Sequence, residues 1–187
     1  MDNITTEINT DIAQFFITDS KQFLFRYQKL RKFQNEISSR SKLLIDLMFA
    51  AECMLKALIF LESQEDEKKT YKKIKTHNLN KLCNLIRGKT GVSRLKIFLS
   101  QNPELYDVSS RYTLEAHINF RENNVLGEHY YSTIASPQWL DSFYEITSDT
   151  LSYVESEQNF EIKSINFNDI DVNKQIEKNN RIKSIAI

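Results

Sequence analysis

Three histidines, His77, His117 and His129, are the chain's supply of side chains that exchange a proton near neutral pH in an ordinary environment. His117 closes the segment Ser110-Arg111-Tyr112-Thr113-Leu114-Glu115-Ala116-His117. That segment joins an imidazole, a general acid or base, to a guanidinium that can stabilise charge building up on a phosphoryl group. On one regular helix, residues six positions apart point roughly 120° away from each other and lie about 9 Å apart along the axis, so the two side chains do not meet within one such helix. They converge only if the helix packs against its copy across a two-fold axis, where two such pairs can surround one scissile phosphate. By spacing alone the simpler reading is a surface pair of Arg111 with Glu115 at i, i+4, with His117 incidental. His77, in Thr76-His77-Asn78-Leu79, stands at a helix start and reads as a histidine packed against the core. His129, in Gly127-Glu128-His129-Tyr130-Tyr131, reads as a loop residue after a helix, lining a cleft among aromatics or simply coating the surface. Glu115, His117, Glu128 and His129 match no metal-ligand spacing, so neither a metal nor a cofactor is expected.

The elements that position these residues follow from the punctuation of the chain. Gly88, Gly91, Pro103, Gly127 and Pro137 punctuate its middle, and everything before Gly88 is free of both residue types. Five such residues in 187 are too few for the repeated tight turns of sandwiches and barrels, and three glycines cannot build a phosphate-cradling loop. The expectation is all-α, an up-and-down bundle of four to five long helices plus short ones. Phe16, Phe23, Tyr27 and Leu30 recur at helical spacing, with Asp19 and Ser20 placed to cap a restart, so a short helix and a longer one are expected in the first forty residues. Ser38 or Ser39 would cap the next helix, whose wide apolar face of Leu44, Leu47, Met48, Ala51, Leu55 and Leu58 marks the centre of the core. Glu62 to Lys75 reads as an exposed connection leading into a helix, and short helices follow over Asn78 to Leu85 and Val92 to Leu99. Pro103 opens a helical run carrying Arg111 and His117. The last long helix begins at Ser136, an N-cap, with Pro137 at the first helical position. Residues 1–157 form the helical domain. Residues 158–187 form a weak helix from Asp169 to about Ile182, or a tail docking on the bundle or on a partner.

Charge and cysteine usage narrow the function classes. Lys plus Arg equals Asp plus Glu at 25 each, so a nucleic-acid partner would need a local basic patch. Such a patch is offered by Lys68, Lys69, Lys72, Lys73 and Lys75. Cys53 and Cys83 lie in apolar helical patterns without ligand spacing and read as reduced thiols, and the first twenty residues show no secretory pattern. The apolar stretch Leu43 to Leu61 is interrupted by Asp46, Glu52 and Lys56, the last two an i, i+4 pair, so no membrane span is expected and the location is read as cytoplasmic.

Three pieces of sequence resemble one family. Phe49-Ala50-Ala51-Glu52-Cys53-Met54-Leu55-Lys56-Ala57-Leu58-Ile59 is similar to a Glu-x-x-x-Lys-Ala-Leu helix, Thr76-His77-Asn78-Leu79-Asn80-Lys81-Leu82 to a His-x-Leu helix start, and Arg111 through His117 to an Arg-x(4 to 6)-His motif. In this order they resemble the HEPN-domain proteins, a family of small all-α bundles, over about residues 21–154. The resemblance implies metal-independent RNA cleavage at a homodimer interface, of toxin or phage-defence type, restrained by an antitoxin or a nucleotidyltransferase partner. His117 would act as general acid or base on the 2′-hydroxyl or the leaving oxygen, and Arg111 would stabilise the phosphoryl charge. The products would be a 2′,3′-cyclic phosphate and a 5′-hydroxyl. Arg121, Tyr112, His129 and Tyr130 are the expected substrate contacts, the tyrosines Tyr130 and Tyr131 stacking unpaired bases or else serving as core. Tyr112 departs from the small polar or acidic residue that follows the arginine in active members. That departure implies a second reading, a non-catalytic module that binds a nucleotide, a nucleic acid or a protein.

Overall fold

A computed structural model of the chain describes residues 3–86, 88, 90–106, 113–121, 128–157 and 171–185; the side chains of Asn3, His117, Asn119 and Arg121 lie outside this description. Among the described residues the fold is all-α, as the scarcity of turn residues requires. Three helices are long: α1 (Asn3–Leu30), α2 (Ile37–Glu62) and α8 (Pro137–Ser156). Six are short: α3 (Glu67–Ile74), α4 (Leu79–Leu85), α5 (Ser93–Gln101), α6 (Thr113–Arg121), α7 (Glu128–Ser132) and α9 (Val172–Lys183). None of the described helices is long and apolar enough to cross a membrane.

α1 and α2 form an antiparallel hairpin whose register is marked by ring contacts of Phe16 with Phe60 and Phe23 with Phe49. α8 also runs antiparallel to α1. Tyr27 donates to Asp141 at 3.0 Å and stacks on Tyr144, and Lys21 pairs with Glu155. α2 and α8 are therefore roughly parallel, and the short helices α3 to α7 carry the chain back along the bundle between them. Leu44, Leu47, Met48, Ala51, Leu55 and Leu58 of α2 are fully buried, which makes it the central helix expected from its apolar face.

Several local expectations are corrected. α1 runs through Asp19 and Ser20 without a break, because the Ser20 hydroxyl donates to the Ala50 carbonyl across the hairpin rather than capping a new helix. α2 starts behind Glu36 with no side-chain cap, so neither Ser38 nor Ser39 has that role. Pro103 opens a 3₁₀ turn, Pro103–Tyr106, rather than an α-helix, and the described part of the motif helix is α6, Thr113–Arg121; residues 107–112 lie outside the described residues. Glu67 of the supposedly exposed connection is buried. Elsewhere local chemistry holds: Asn78 and Ser136 accept from the backbone of Lys81 and Trp139, and Pro137 takes the first helical position.

The C-terminal helix α9, capped by Asp171, docks on the bundle through charge. Lys174 meets Glu7 at 2.5 Å, Lys178 meets Asp11 at 2.6 Å, and Arg181 binds both oxygens of Glu67 at 2.9 and 2.6 Å. The Arg181 guanidinium, above all, holds the Glu67 carboxyl below its ordinary range.

Gly91 packs where any side chain would collide, since a Cβ there would lie 2.1 Å from Cγ of Tyr153 on α8. Gly91→Ala is expected to cost about 1–2 kcal/mol as the half-buried ring is pushed aside, partly offset by a less flexible unfolded chain. Urea unfolding measures this, and an unchanged midpoint would mean that Tyr153 moves freely.

Candidate functional site

The segment from Arg111 to His117 is only partly visible. Arg111 and Tyr112 lie outside the described residues, and so do the side chains of His117 and Arg121, whose backbones belong to α6. α6 is seated by Ala116 and Phe120, four residues apart and both buried. Leu114 and Ile118, also four apart, are exposed on another face of the same helix.

Phe120 links α6 to His129. The two rings stack at 5.7 Å with 13° between their planes, and Trp139 meets Phe120 edge-on at 6.2 Å. His129 Nε2 lies 3.0 Å from Oε1 of Glu104. A carboxylate only accepts, so Nε2 carries the hydrogen and the ring is held in one orientation. His129 belongs to the short helix α7 rather than to a loop, because this ring pairing and stacking gather the turn after Gly127 onto the bundle. Tyr130, the next residue, is buried and meets Tyr131 edge to face, whereas Tyr131 is exposed. Of the two readings of Tyr130, base stacking or core, its burial matches core, and in this pair only Tyr131 faces solvent.

A second polar constellation joins the other two pieces of sequence. Glu52 and Lys56 are nearly buried in the middle of α2, with Lys56 Nζ donating to Glu52 Oε1 at 2.7 Å. His77, just before α4, places Nδ1 at 3.0 and 3.1 Å from the two Glu52 oxygens. His77 is therefore not packed into the core as expected from its place at a helix start. Its side chain is 62% exposed and is tied by one edge to a buried carboxylate, leaving Nε2 as the nitrogen free for proton transfer. The ammonium of Lys56 also lies 5.9 Å from the Phe16 ring centre, so the cluster bridges α1, α2 and the entry to α4. Sequence reasoning found the i, i+4 pair but not its third member; the signal was a glutamate and a lysine one turn apart among the apolar residues of α2.

Neither cysteine is held as a thiolate. Burial above all, then Glu52 and Asp19, pushes the half-buried Cys53 thiol up to about 12, and burial pushes Cys83 up to about 11, so both stay protonated at neutral pH. Both are free thiols. Among the described residues no group of three or more His, Cys, Asp or Glu side chains is placed to hold a metal ion.

The lysine run of α3 is less available than its sequence suggests. Lys69 pairs with Asp66 at 3.3 Å and Lys73 with Glu65 at 2.7 Å. In comparisons with known proteins, the chain matches no family model, no curated protein and no solved structure.

Proposed function

We propose that this chain is a HEPN-like protein acting as a homodimeric, metal-independent endoribonuclease of toxin or phage-defence type. The observation that carries the proposal is the seating of α6. This helix is anchored by Ala116 and Phe120 and leaves Leu114 and Ile118 open to solvent, a pair of apolar side chains that a second copy would cover. Two motif helices brought together there would set both Arg111–His117 pairs around one phosphate. His117 would exchange the proton of the 2′-hydroxyl or of the leaving 5′-oxygen, and Arg111 would stabilise the dianionic phosphoryl group. The all-α bundle and the meeting of Glu52, Lys56 and His77, which unites the other two HEPN-like pieces, support the same reading. An antitoxin or a nucleotidyltransferase partner would restrain the activity.

The test is growth on induced expression together with cleavage of RNA by purified protein. His117→Ala and Arg111→Ala are each expected to lower cleavage by about 100-fold or more and to relieve toxicity, with the dimer intact. Undiminished cleavage by His117→Ala removes the motif from the mechanism. Equal growth of wild type and variant, with no cleavage by either, favours the non-catalytic binding module to which the Arg111-Tyr112 pair also points.

A further inference from the structure

One basic part of this electrically balanced chain is the corner where α1 passes into α2. Residues 21–42 hold seven lysines and arginines against a single acid, Glu36. Three of the seven are held by carboxylates elsewhere in the bundle: Lys21 by Glu155, Arg26 by Asp46 and Arg31 by Asp141. Among the described residues no carboxylate pairs with Lys29, Lys32, Arg40 or Lys42. The same corner exposes three large apolar side chains, Phe25 at 52%, Phe33 at 40% and Ile37 at 54%.

Charge and rings are interleaved. Phe25, Lys29 and Lys32 follow one another at i, i+4 and i+7, the spacing of a single helical stripe. The Lys29 ammonium lies 5.0 Å from the Phe25 ring centre, and that of Lys32 lies 5.0 Å from the Phe33 ring centre. The turn beneath them is braced, since Arg40 donates to the carbonyls of Gln34 and Asn35. From Phe25 to Phe33 the helical rise spans about 12 Å, room for a few stacked bases.

We infer that this corner binds single-stranded nucleic acid, with Phe25 and Phe33 stacking on bases and Lys29, Lys32 and Arg40 neutralising the adjoining phosphates. An exposed ring beside an unpaired ammonium, repeated twice on a rigid turn, offers a base and its phosphate matched partners at each step. A membrane surface fits less well, because the apolar side chains are separated by polar and charged ones instead of forming one continuous face. The surface does not depend on the cleavage reading, since binding needs neither Arg111 nor His117.

The experiment is fluorescence anisotropy with labelled oligo(U) and oligo(dT) of about 12 nucleotides at about 50 and 200 mM salt, using the His117→Ala chain so that RNA stays intact. Oligo(dT) lacks the 2′-hydroxyl and reports binding alone. Phe25→Ala/Phe33→Ala is expected to weaken binding about 10-fold or more. Lys29→Glu/Lys32→Glu should do the same and flatten the salt dependence, whereas Lys68→Glu/Lys72→Glu on α3 should change affinity less than about 2-fold. Matching circular dichroism and melting temperatures establish that the surface variants fold. Absence of binding to either oligonucleotide overturns the inference, as does an equal loss in the α3 variant. Binding of anionic vesicles, lost in the corner variants while no oligonucleotide binds, assigns the surface to lipid instead and overturns it too.

Discussion

Replacing Glu52 by alanine is expected to cost about 3–5 kcal/mol, the range for breaking a buried ion pair from one side. The carboxylate accepts from Lys56 and from His77 at once, and both Glu52 and Lys56 are nearly buried. Removing it leaves the Lys56 ammonium inside the bundle with the Phe16 ring as its remaining attractive contact among the described residues. For a chain of this size the loss corresponds to a fall in melting temperature of about 10 °C. Lys56→Met in the Glu52→Ala background should recover at least half of it, since an apolar chain of similar length no longer needs a counter-charge. His77→Ala alone should cost less than about 1 kcal/mol, because its ring is largely in water. Urea unfolding of wild type, Glu52→Ala, Lys56→Met and the double variant closes the cycle and measures the coupling. Additive losses, with Lys56→Met deepening the defect, would mean that Glu52 and Lys56 do not act as a unit.

The second large effect is a dependence of stability on pH from Asp46. This residue is fully buried on α2, and neither of its carboxylate oxygens has a well-aligned hydrogen bond, although Arg26 approaches to 3.0 Å. Burial, only partly opposed by Arg26, pushes its carboxyl up to about 6. Because the folded-state value lies above that of the unfolded chain, the folded protein binds the proton more tightly. The contribution of Asp46 to stability is therefore most favourable below about pH 4, declines as the pH rises to about 6, and stays lower above that. A displacement of this size is worth about 3 kcal/mol at most. Asp46→Asn keeps the shape and removes the charge, so it should stabilise the protein by about 1–3 kcal/mol at pH 7 and by little at pH 4. Parallel unfolding curves for wild type and variant across that window would show that Asp46 is not the group responsible. Glu67 works in the opposite sense: its lowered value contributes stability above the ordinary carboxyl range, lost as the pH falls.

Charge distribution, more than total charge, decides where a polyanion could bind. The run of lysines on α3 is conspicuous in sequence, yet Asp66 and Glu65 partner two of its members. The corner of α1 and α2 is less conspicuous because its cations are spaced at helical intervals among aromatics. Folding pairs three of these with distant carboxylates and leaves the rest beside exposed rings.

The sequence by itself determined what depends on near neighbours. Few glycines and prolines excluded sheet-rich folds, the apolar spacing of α2 identified the central helix, and Asn78, Ser136 and Pro137 marked helix starts within a few residues of the groups they serve. The partnership of Glu52 with Lys56 was legible for the same reason, one helical turn separating them. Tertiary structure decided whatever depends on groups distant in the chain. Ser20 could cap a helix or reach Ala50, and the hairpin selects Ala50, so α1 stays whole. His77 reaches back to Glu52 and His129 to Glu104, which turns two isolated imidazoles into oriented ones. Tyr130 and Tyr131 are identical in type and adjacent, and packing alone buries one and exposes the other. α9 is a polar helix that sets Ile182 against the core, and Glu7, Asp11 and Glu67 give its cations partners across the bundle. Periodicity and caps are local interactions that a sequence displays directly, whereas pairing across the bundle depends on which helix faces which.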